Sequence, residues 1–228
     1  MRMLLFICLL AVVACTPAGP PNSVHRTKAE SFHRHHPMDE SQNFFLLDTL
    51  GFLGQFEVDT DGKPVPRPVR DWTYVTQLGD TVSNNSLAGK VYVADFFFTS
   101  CPSICPKVKS EMMRIYERFA GEDNFRMVSF TLDPKRDTPA VMKTYAENLG
   151  VTDHNRWWFL YGDRFKTYEL DADYLSIGEE NPDAPGGFDH TPYVILVDQN
   201  GFVRSYGSGL EAAEIDHLME NITLLLEG

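Results

Sequence analysis

The chain has 228 residues, of which 43% are hydrophobic, enough to build one domain around a sizeable apolar core. Its 32 acidic side chains outnumber the 20 basic ones and give a formal net charge of −12 at pH 7. A chain this acidic repels the phosphates of nucleic acid and of anionic lipid. We therefore expect no nucleic-acid partner and no electrostatic docking to a membrane surface.

The first fifteen residues have the pattern of a lipoprotein signal peptide. One positive charge, Arg2, precedes a short apolar run that ends in Val-Val-Ala-Cys at Cys15. The run is too short to span a bilayer, and its ending resembles a lipobox, in which the cysteine is lipidated and becomes the mature N-terminus. We predict a signal peptide over residues 1–14 and attachment to a membrane of the cell envelope through lipid on Cys15 alone. The alternative is an ordinary signal peptide that is cut at another position.

Residues 15–43 are rich in proline, serine, histidine and charge, which predicts a flexible tether in front of one folded domain over residues 44–228. His33, His35 and His36 in this tether have the composition of an auxiliary metal-binding arm, although such a cluster is as often only a solvated segment. We place the folded domain in the periplasm or otherwise outside the cytoplasmic membrane, which is an oxidising compartment.

Strand and helix patterns alternate along the folded domain. The predicted strands cover residues 90–99, 126–132, 156–161, 193–197 and 202–206. The predicted helices cover residues 106–120, 139–149, 164–170 and 211–226. Thr138 and Pro139 give the second helix a start signal, and Gly150 gives it a stop. This alternation predicts an α/β sandwich with a mixed central β-sheet flanked by α-helices.

Two thiols stand at the first predicted strand-to-helix turn. Cys101 and Cys105 lie in the run Thr-Ser-Cys-Pro-Ser-Ile-Cys-Pro at residues 99–106, about one helical turn apart. The positive end of a helix lowers the pKa of a nearby thiol and favours the thiolate, which binds soft metals or exchanges disulfides. A purely structural disulfide is a weaker interpretation, since closing so short a loop gains little stabilisation.

Three motifs in this order resemble those of the Sco/SenC family. They are the run at residues 99–106, Leu-Asp-Pro-Lys-Arg-Asp-Thr-Pro at residues 132–139, and Asp189-His190, and the resemblance covers roughly residues 70–226. It implies a membrane-anchored, thioredoxin-like copper protein of cytochrome c oxidase assembly. It also implies that Cys101, Cys105 and His190 are the copper ligands.

The resemblance implies a metallochaperone that binds one copper ion, as Cu(I) or Cu(II), and delivers it to the copper-site subunit of the oxidase. Two thiolates and an imidazole suit soft Cu(I), whereas a structural zinc site usually takes four protein ligands. An envelope thiol reductase is the expected second partner, since a disulfide offers no thiolate. Residues 178–189 carry two adjacent glycines and several acids, and we expect a mobile loop that moves His190 toward or away from the thiols.

Two residues also favour a thiol–disulfide oxidoreductase. Asp95 is the one charged residue in an apolar strand and is a candidate proton acceptor beneath the dithiol. Pro192 stands where thioredoxin-like folds place a cis-proline beside the active cysteines. Asp133 and Asp137 are interpreted as turn and cap residues. A third class, a module that senses copper or redox state without delivering metal, stays open.

Overall fold

A computed structural model of the protein describes residues 50–228. The predicted signal peptide, the lipidation site Cys15 and the tether histidines His33, His35 and His36 lie outside the described residues and stay predictions. Within residues 50–228, no helix is both long enough and apolar enough to cross a bilayer.

Eleven strands are found in the described part of the chain. They are β1 (Phe56–Val58), β2 (Pro64–Pro66), β3 (Thr73–Thr76), β4 (Thr81–Ser83), β5 (Val91–Phe97), β6 (Phe125–Thr131), β7 (Trp157–Tyr161), β8 (Gly178–Glu180), β9 (Phe188–His190), β10 (Tyr193–Val197) and β11 (Val203–Ser208). Seven of them form the central sheet in the order β11-β10-β5-β6-β7-β3-β4, while β1-β2 and β8-β9 each form a two-stranded sheet.

The central sheet is mixed, as the sequence predicts. Strands β5, β6 and β7 run parallel at its centre, and the strands on either side of this trio join it in antiparallel fashion. All seven residues of β5 are buried, because helices cover both faces of the parallel centre. The carboxyl ends of β5 and β6 lie side by side, so the loops that follow these two strands meet at one edge of the sheet.

Residues 50–228 contain four α-helices, of which the first three connect strands and the last follows β11. They are α1 (Cys105–Arg118), α2 (Pro139–Leu149), α3 (Arg164–Leu170) and α4 (Ala212–Glu227). The start and stop signals of α2 are confirmed: the Thr138 side chain accepts a hydrogen bond from the Val141 amide, and Gly150 ends the helix at φ 97°. The predicted α/β sandwich is confirmed, and each predicted element is present with ends that differ by two residues or fewer.

Two groups of aromatic contacts fill the two faces of the sheet. On one face, Phe97 of β5 stacks against Tyr145 of α2. On the other, Tyr174, in the short 3-10 helix Asp171–Tyr174 after α3, packs against Phe96 and Phe130. One continuous apolar core results, and it includes both Cys101 and Cys105. The dithiol is therefore built on the core of the domain.

The segment expected to be a loop at residues 178–189 forms most of an antiparallel hairpin, and the expected movement of His190 stays a prediction. Strands β8 and β9 pair Gly178 with His190 and Glu180 with Phe188. Gly186 and Gly187 take positive φ angles of 84° and 91° in the turn between them, which glycine adopts without steric cost. His190 is thus the last residue of strand β9.

Candidate metal centre

The connection from β5 to α1 places both thiols. The chain turns after β5, where the Cys101 amide donates to the Phe98 carbonyl at 3.2 Å. Cys105 is the first residue of α1, so its sulfur lies at the positive end of the helix. Both side chains are buried, with 8% of Cys101 and 2% of Cys105 exposed, and both are free thiols.

The β8–β9 hairpin supplies the imidazole. His190 is partly buried, and its ring meets the Phe98 ring edge-on at a centroid distance of 5.7 Å. Its Nδ1 lies 3.1 Å from the carbonyl oxygen of Thr191. A carbonyl only accepts, so Nδ1 carries the proton and Nε2 keeps its lone pair for a metal.

The three side chains converge on one point. The ligand atoms of Cys101, Cys105 and His190 all lie within 4.8 Å of one another, and Cys105 Sγ is 3.4 Å from His190 Nε2. Metal–sulfur and metal–nitrogen bonds of about 2.0–2.3 Å let one ion join atoms at about this separation. Two sulfurs and one imidazole nitrogen are a donor set for a soft ion such as Cu(I).

The two sulfurs share a proton unequally. A hydrogen bond from Cys105 holds the pKa of Cys101 well below its ordinary value, against the opposing effect of burial. The same hydrogen bond, together with burial, raises the pKa of Cys105 far above its usual range. The two thiols are therefore not equivalent, and Cys101 is the one that loses its proton more readily.

A buried carboxylate ties the cysteine loop to the sheet. Asp137 is completely buried, and it accepts hydrogen bonds from the Thr99 amide at 3.0 Å, from the Thr99 hydroxyl, and from the Thr131 hydroxyl at 2.6 Å. Burial raises the pKa of Asp137, and these hydrogen bonds oppose the rise. The sequence interpretation of Asp137 as a turn or cap residue misses this role. Asp133 does fit a turn, since its carbonyl accepts from the Asp137 amide.

The turn of the β8–β9 hairpin packs directly on the cysteine loop. A methyl group added at Gly186 would lie 2.6 Å from Phe98 Cε2 and 3.2 Å from Pro102 Cδ. Phe188 also packs on Phe98, with ring centroids 5.0 Å apart. The absence of a side chain at Gly186 lets the hairpin approach closely enough for His190 to reach the thiols.

Asp95 lies in a buried ion pair that the sequence did not predict. Its two carboxylate oxygens are 2.9 and 2.8 Å from Nζ of Lys109, one turn after Cys105 on α1. Both side chains are buried, with exposed fractions of 0% for Lys109 and 2% for Asp95. The role of Asp95 as a proton acceptor stays a prediction. A lysine in an amphipathic helix normally faces solvent, so only its four-residue spacing from Cys105 could have drawn attention to Lys109.

The prediction of a cis-proline at Pro192 is wrong. Every peptide bond within residues 50–228 is trans, including the one between Thr191 and Pro192. The Thr191 amide donates to Ile177, and the Pro192 carbonyl accepts from Gly209 at 2.8 Å. These bonds carry the extended chain from β9 straight into β10, which suits a trans proline at a strand entrance.

Fold and site together define a class of protein: a thioredoxin-like α/β domain with a reduced Cys-x-x-x-Cys pair at the start of a helix and a histidine facing it. The model of the SCO1/SenC family matches residues 60–227. The chain therefore belongs to the SCO1/SenC family, as its motifs predict.

Known relatives agree with this assignment. A SCO1 protein homolog of Bacillus subtilis (strain 168) is 30% identical over 182 residues, which cover 76% of this chain and 93% of the relative. The structure of a SCO1/SenC family lipoprotein from Bacillus anthracis superposes with a TM-score of 0.64 at 26% identity, covering 72% of this chain and 97% of that one. The structure of Bradyrhizobium japonicum ScoI with copper bound superposes with a TM-score of 0.55 at 25% identity, covering 70% of this chain and 99% of that one.

Proposed function

We propose that this protein binds one copper ion through Cys101, Cys105 and His190 and delivers it to the copper site of a cytochrome c oxidase. The observation that carries the proposal is the convergence of these three ligand atoms within 4.8 Å. Family membership supports it, and so does the copper found in the related ScoI structure. The recipient, the copper-site subunit of the oxidase, is inferred from the family resemblance.

The donor set favours copper over zinc. Among the described residues, the cluster around the dithiol contains three metal-ligating side chains, two of them cysteines. A structural zinc ion takes four protein ligands in a tetrahedron, whereas Cu(I) is satisfied by two thiolates and an imidazole. A site with three protein ligands also leaves a coordination position of the ion free, to which a ligand of the recipient protein can bind.

The site works only when it is reduced. A disulfide between Cys101 and Cys105 has no thiolate for the metal, so a thiol reductase of the envelope is the second partner that the proposal needs. The cysteines lie in the loop and first helical turn at the edge of the sheet. We infer that copper binding and disulfide formation compete for the same two sulfurs.

We also propose that the domain is held at a membrane of the cell envelope by lipid on Cys15. Two acyl chains on one residue are sufficient for stable anchoring. Cys15→Ser is expected to move the protein from the membrane fraction to the soluble fraction and to abolish fatty-acid labelling. A Cys15→Ser protein that stays labelled and membrane-bound contradicts the anchor and leaves the copper site unaffected.

A thiol–disulfide oxidoreductase is the second candidate function, and the lowered pKa of Cys101 favours it. A thiolate attacks disulfides, and the neighbouring thiol can resolve the mixed disulfide. A copper or redox sensor would use the same residues and would differ only in passing no metal to a recipient.

Metal and disulfide assays on the same preparation distinguish these functions. The full-length protein, reduced and held in detergent, is titrated anaerobically with Cu(I) against a coloured Cu(I) chelator, and with Cu(II) by absorption. In parallel, reduction of insulin disulfides is followed. We expect one tightly bound copper per chain and slow insulin reduction. Rapid insulin reduction without copper binding would reject the metallochaperone in favour of the oxidoreductase.

A further inference from the structure

An open groove runs along helix α2, beside the cysteine loop. It has a volume of about 480 Å³ and is lined by Thr99, Ala140, Val141, Thr144, Tyr145 and Asn148. We call it the α2 groove. The part of α2 that lines it, from Ala140 to Asn148, is about 12 Å long. This length accommodates about three or four residues of an extended peptide.

The α2 groove combines an exposed apolar side chain with a rigid aromatic ring. Val141 is 41% exposed, although it is a large apolar residue. The Tyr145 ring stacks on Phe97 with centroids 5.6 Å apart and meets Phe159 edge-on at 6.0 Å, so its position is fixed. Within residues 50–228 the Tyr145 hydroxyl makes no hydrogen bond. A rigid ring with a hydroxyl open to a partner is a common anchor in protein interfaces.

The α2 groove ends at the metal centre. Thr99 lines the groove and stands two residues before Cys101 in the cysteine loop. Asp137, two residues before α2, accepts hydrogen bonds from both the amide and the hydroxyl of Thr99. These bonds hold the cysteine loop against the start of α2. A peptide that fills the groove therefore has one end beside the cysteine loop.

An exposed cation stands at this end of the groove. The loop that joins β6 to α2 is tied to the cysteine loop by Asp137, and it carries two acidic and two basic residues. Asp133 pairs with Arg136 at 2.8 Å, and Asp137 is buried. Lys135 is exposed and makes no ion pair within residues 50–228. On a chain with a net charge of −12, such a cation is a specific point of attraction for a carboxylate.

We propose that the α2 groove binds an extended segment of the copper recipient, with an apolar side chain against Val141 and Tyr145 and a carboxylate paired with Lys135. The apolar lining selects the first feature of this segment, and the charge of Lys135 selects the second. The proposal deepens the proposed function and rests on it, because it takes the recipient to be the copper-site subunit of the oxidase. Docking beside the thiols would bring the recipient to the ion without displacing Cys101, Cys105 or His190.

The test measures how tightly the copper-site domain of the oxidase subunit, purified and metal-free, binds the full-length protein held in detergent. Surface plasmon resonance is recorded with the protein metal-free and reduced, and again with the protein loaded with Cu(I). Val141→Asp places a charge in the groove, and an acidic residue in the first turn of a helix is favourable, so α2 should stay folded. Tyr145→Phe removes the hydroxyl and keeps the ring. Val58→Asp is the matched control, since Val58 is 74% exposed and lies on the separate β1–β2 sheet.

The groove variants should weaken the complex selectively. We expect Val141→Asp to raise the dissociation constant by about tenfold or more, and Tyr145→Phe to raise it by about threefold to tenfold. Val58→Asp should stay within about twofold of wild type. Equal losses in Val141→Asp and Val58→Asp would show a general effect of added negative charge and overturn the proposal. Absence of binding by the wild type in both metal states would also overturn it.

The contact of Lys135 is tested by its dependence on salt. Lys135→Glu should lower the association rate by about threefold or more at low ionic strength, because a charge at the edge of an interface acts mainly on association. The difference should disappear at about 1 M salt, where charges are screened beyond about 3 Å. Lys63→Glu, an exposed position in the β1–β2 turn, makes the same change of charge as a control. Equal effects of the two variants, or an effect that salt does not reduce, would contradict the carboxylate contact.

The outcome is separable from that of the proposed function. If the wild type delivers copper to the domain and both groove variants bind the domain like wild type, the groove is rejected and the metallochaperone stands. If the wild type binds the domain but transfers no copper, and Val141→Asp weakens the complex, the groove is upheld and delivery is rejected. A wild-type dimer in sedimentation that Val141→Asp dissociates would show that a second copy of the chain fills the groove, which overturns the proposal.

Discussion

The two sides of the candidate metal centre are built very differently. The thiol side, Cys101 and Cys105, belongs to the apolar core and lies between a fully buried strand and the first turn of α1. The imidazole side, His190 on the β8–β9 hairpin, is only partly buried and belongs to a separate two-stranded sheet. The thiol side is part of the core of the domain, whereas the imidazole side packs against that core from a separate hairpin.

The contacts of each side show how the site can both hold and release an ion. The thiol side is tied to the sheet through Thr99 and the buried carboxylate of Asp137. The hairpin rests on the thiol side mainly through packing of Gly186, Phe188 and His190 against Phe98. Regions with few buried contacts open most easily, so we expect the imidazole side to move when the ion leaves.

Substitutions on the thiol side are expected to cause the largest loss of Cu(I) affinity. Cys101→Ser and Cys105→Ser each replace a soft thiolate by a hydroxyl, which is a poor ligand for Cu(I). Loss of a hydrogen-bond partner of a ligand already costs about 10–100-fold in metal affinity, so loss of one of the two thiolates, the ligands that soft Cu(I) prefers, should cost more than about 100-fold. Chelator competition measures the affinity, and circular dichroism confirms the fold. A serine variant within about tenfold of wild type removes that sulfur from the site.

Substitution of the imidazole is expected to cause a smaller loss of Cu(I) affinity. His190→Ala leaves both thiolates in place, so Cu(I) affinity should fall by only about 10–100-fold, while Cu(II), which prefers imidazole, should lose more. The thiolate charge-transfer band of the Cu(II) complex reports the change.

The tether provides the control for that result. A variant with alanine at His33, His35 and His36 should keep the charge-transfer band of the wild type. If this variant loses the band while His190→Ala keeps it unchanged, the third ligand lies in the tether.

The contact between the two sides can be tested without touching a ligand. Gly186→Ala would place a methyl group 2.6 Å from the buried Phe98 ring and push the hairpin away. We expect Cu(II) affinity to fall by about tenfold, which corresponds to about 1.4 kcal/mol. Gly187→Ala is the matched control, since its φ of 91° imposes the same backbone strain with nothing within 4 Å of the new methyl group. Equal losses in both variants would mean that backbone strain, and not the contact with Phe98, controls the site.

The smallest expected effect is on the pH dependence of stability. It comes from Asp137, the buried carboxyl group that holds the cysteine loop to the sheet. Burial raises the pKa of Asp137, so the folded protein binds this proton more tightly than the unfolded chain does. Its stabilising contribution is complete below the ordinary pKa and is lost as pH rises through the raised folded value. Relative to Asp137→Asn, the wild type should therefore lose free energy of unfolding as pH rises above the ordinary carboxyl pKa of about 4, by at most about 1.4 kcal/mol per pH unit. Urea unfolding at several pH values measures this, and a wild-type advantage that grows with pH contradicts the assignment.

The sequence predicts the thiol side better than the imidazole side for a physical reason. The strand before Cys101 and the helix after Cys105 have strong apolar patterns, and Thr138 and Gly150 mark the ends of α2 by local chemistry alone. Strands β8 and β9 have three residues each and no apolar alternation, so the hairpin that carries His190 has no local signal.

Long-range contacts explain the other differences. Lys109 is buried only because Asp95 of β5 and Ser129 of β6 neutralise and solvate its charge across the sheet. Asp137 becomes an anchor only because the loop after β5 passes over it. Neither the partners of Lys109 nor the loop that contacts Asp137 can be deduced from the spacing of residues along the chain.

The central claim is that Cys101, Cys105 and His190 share one copper ion, and X-ray absorption of the Cu(I)-loaded protein tests it most directly. The wild-type spectrum should fit two sulfur ligands and one imidazole nitrogen. His190→Ala should lose the imidazole scattering and keep both sulfurs, while Cys105→Ser should lose one sulfur. A spectrum with fewer than two sulfurs, or imidazole scattering that persists in His190→Ala, would contradict the account.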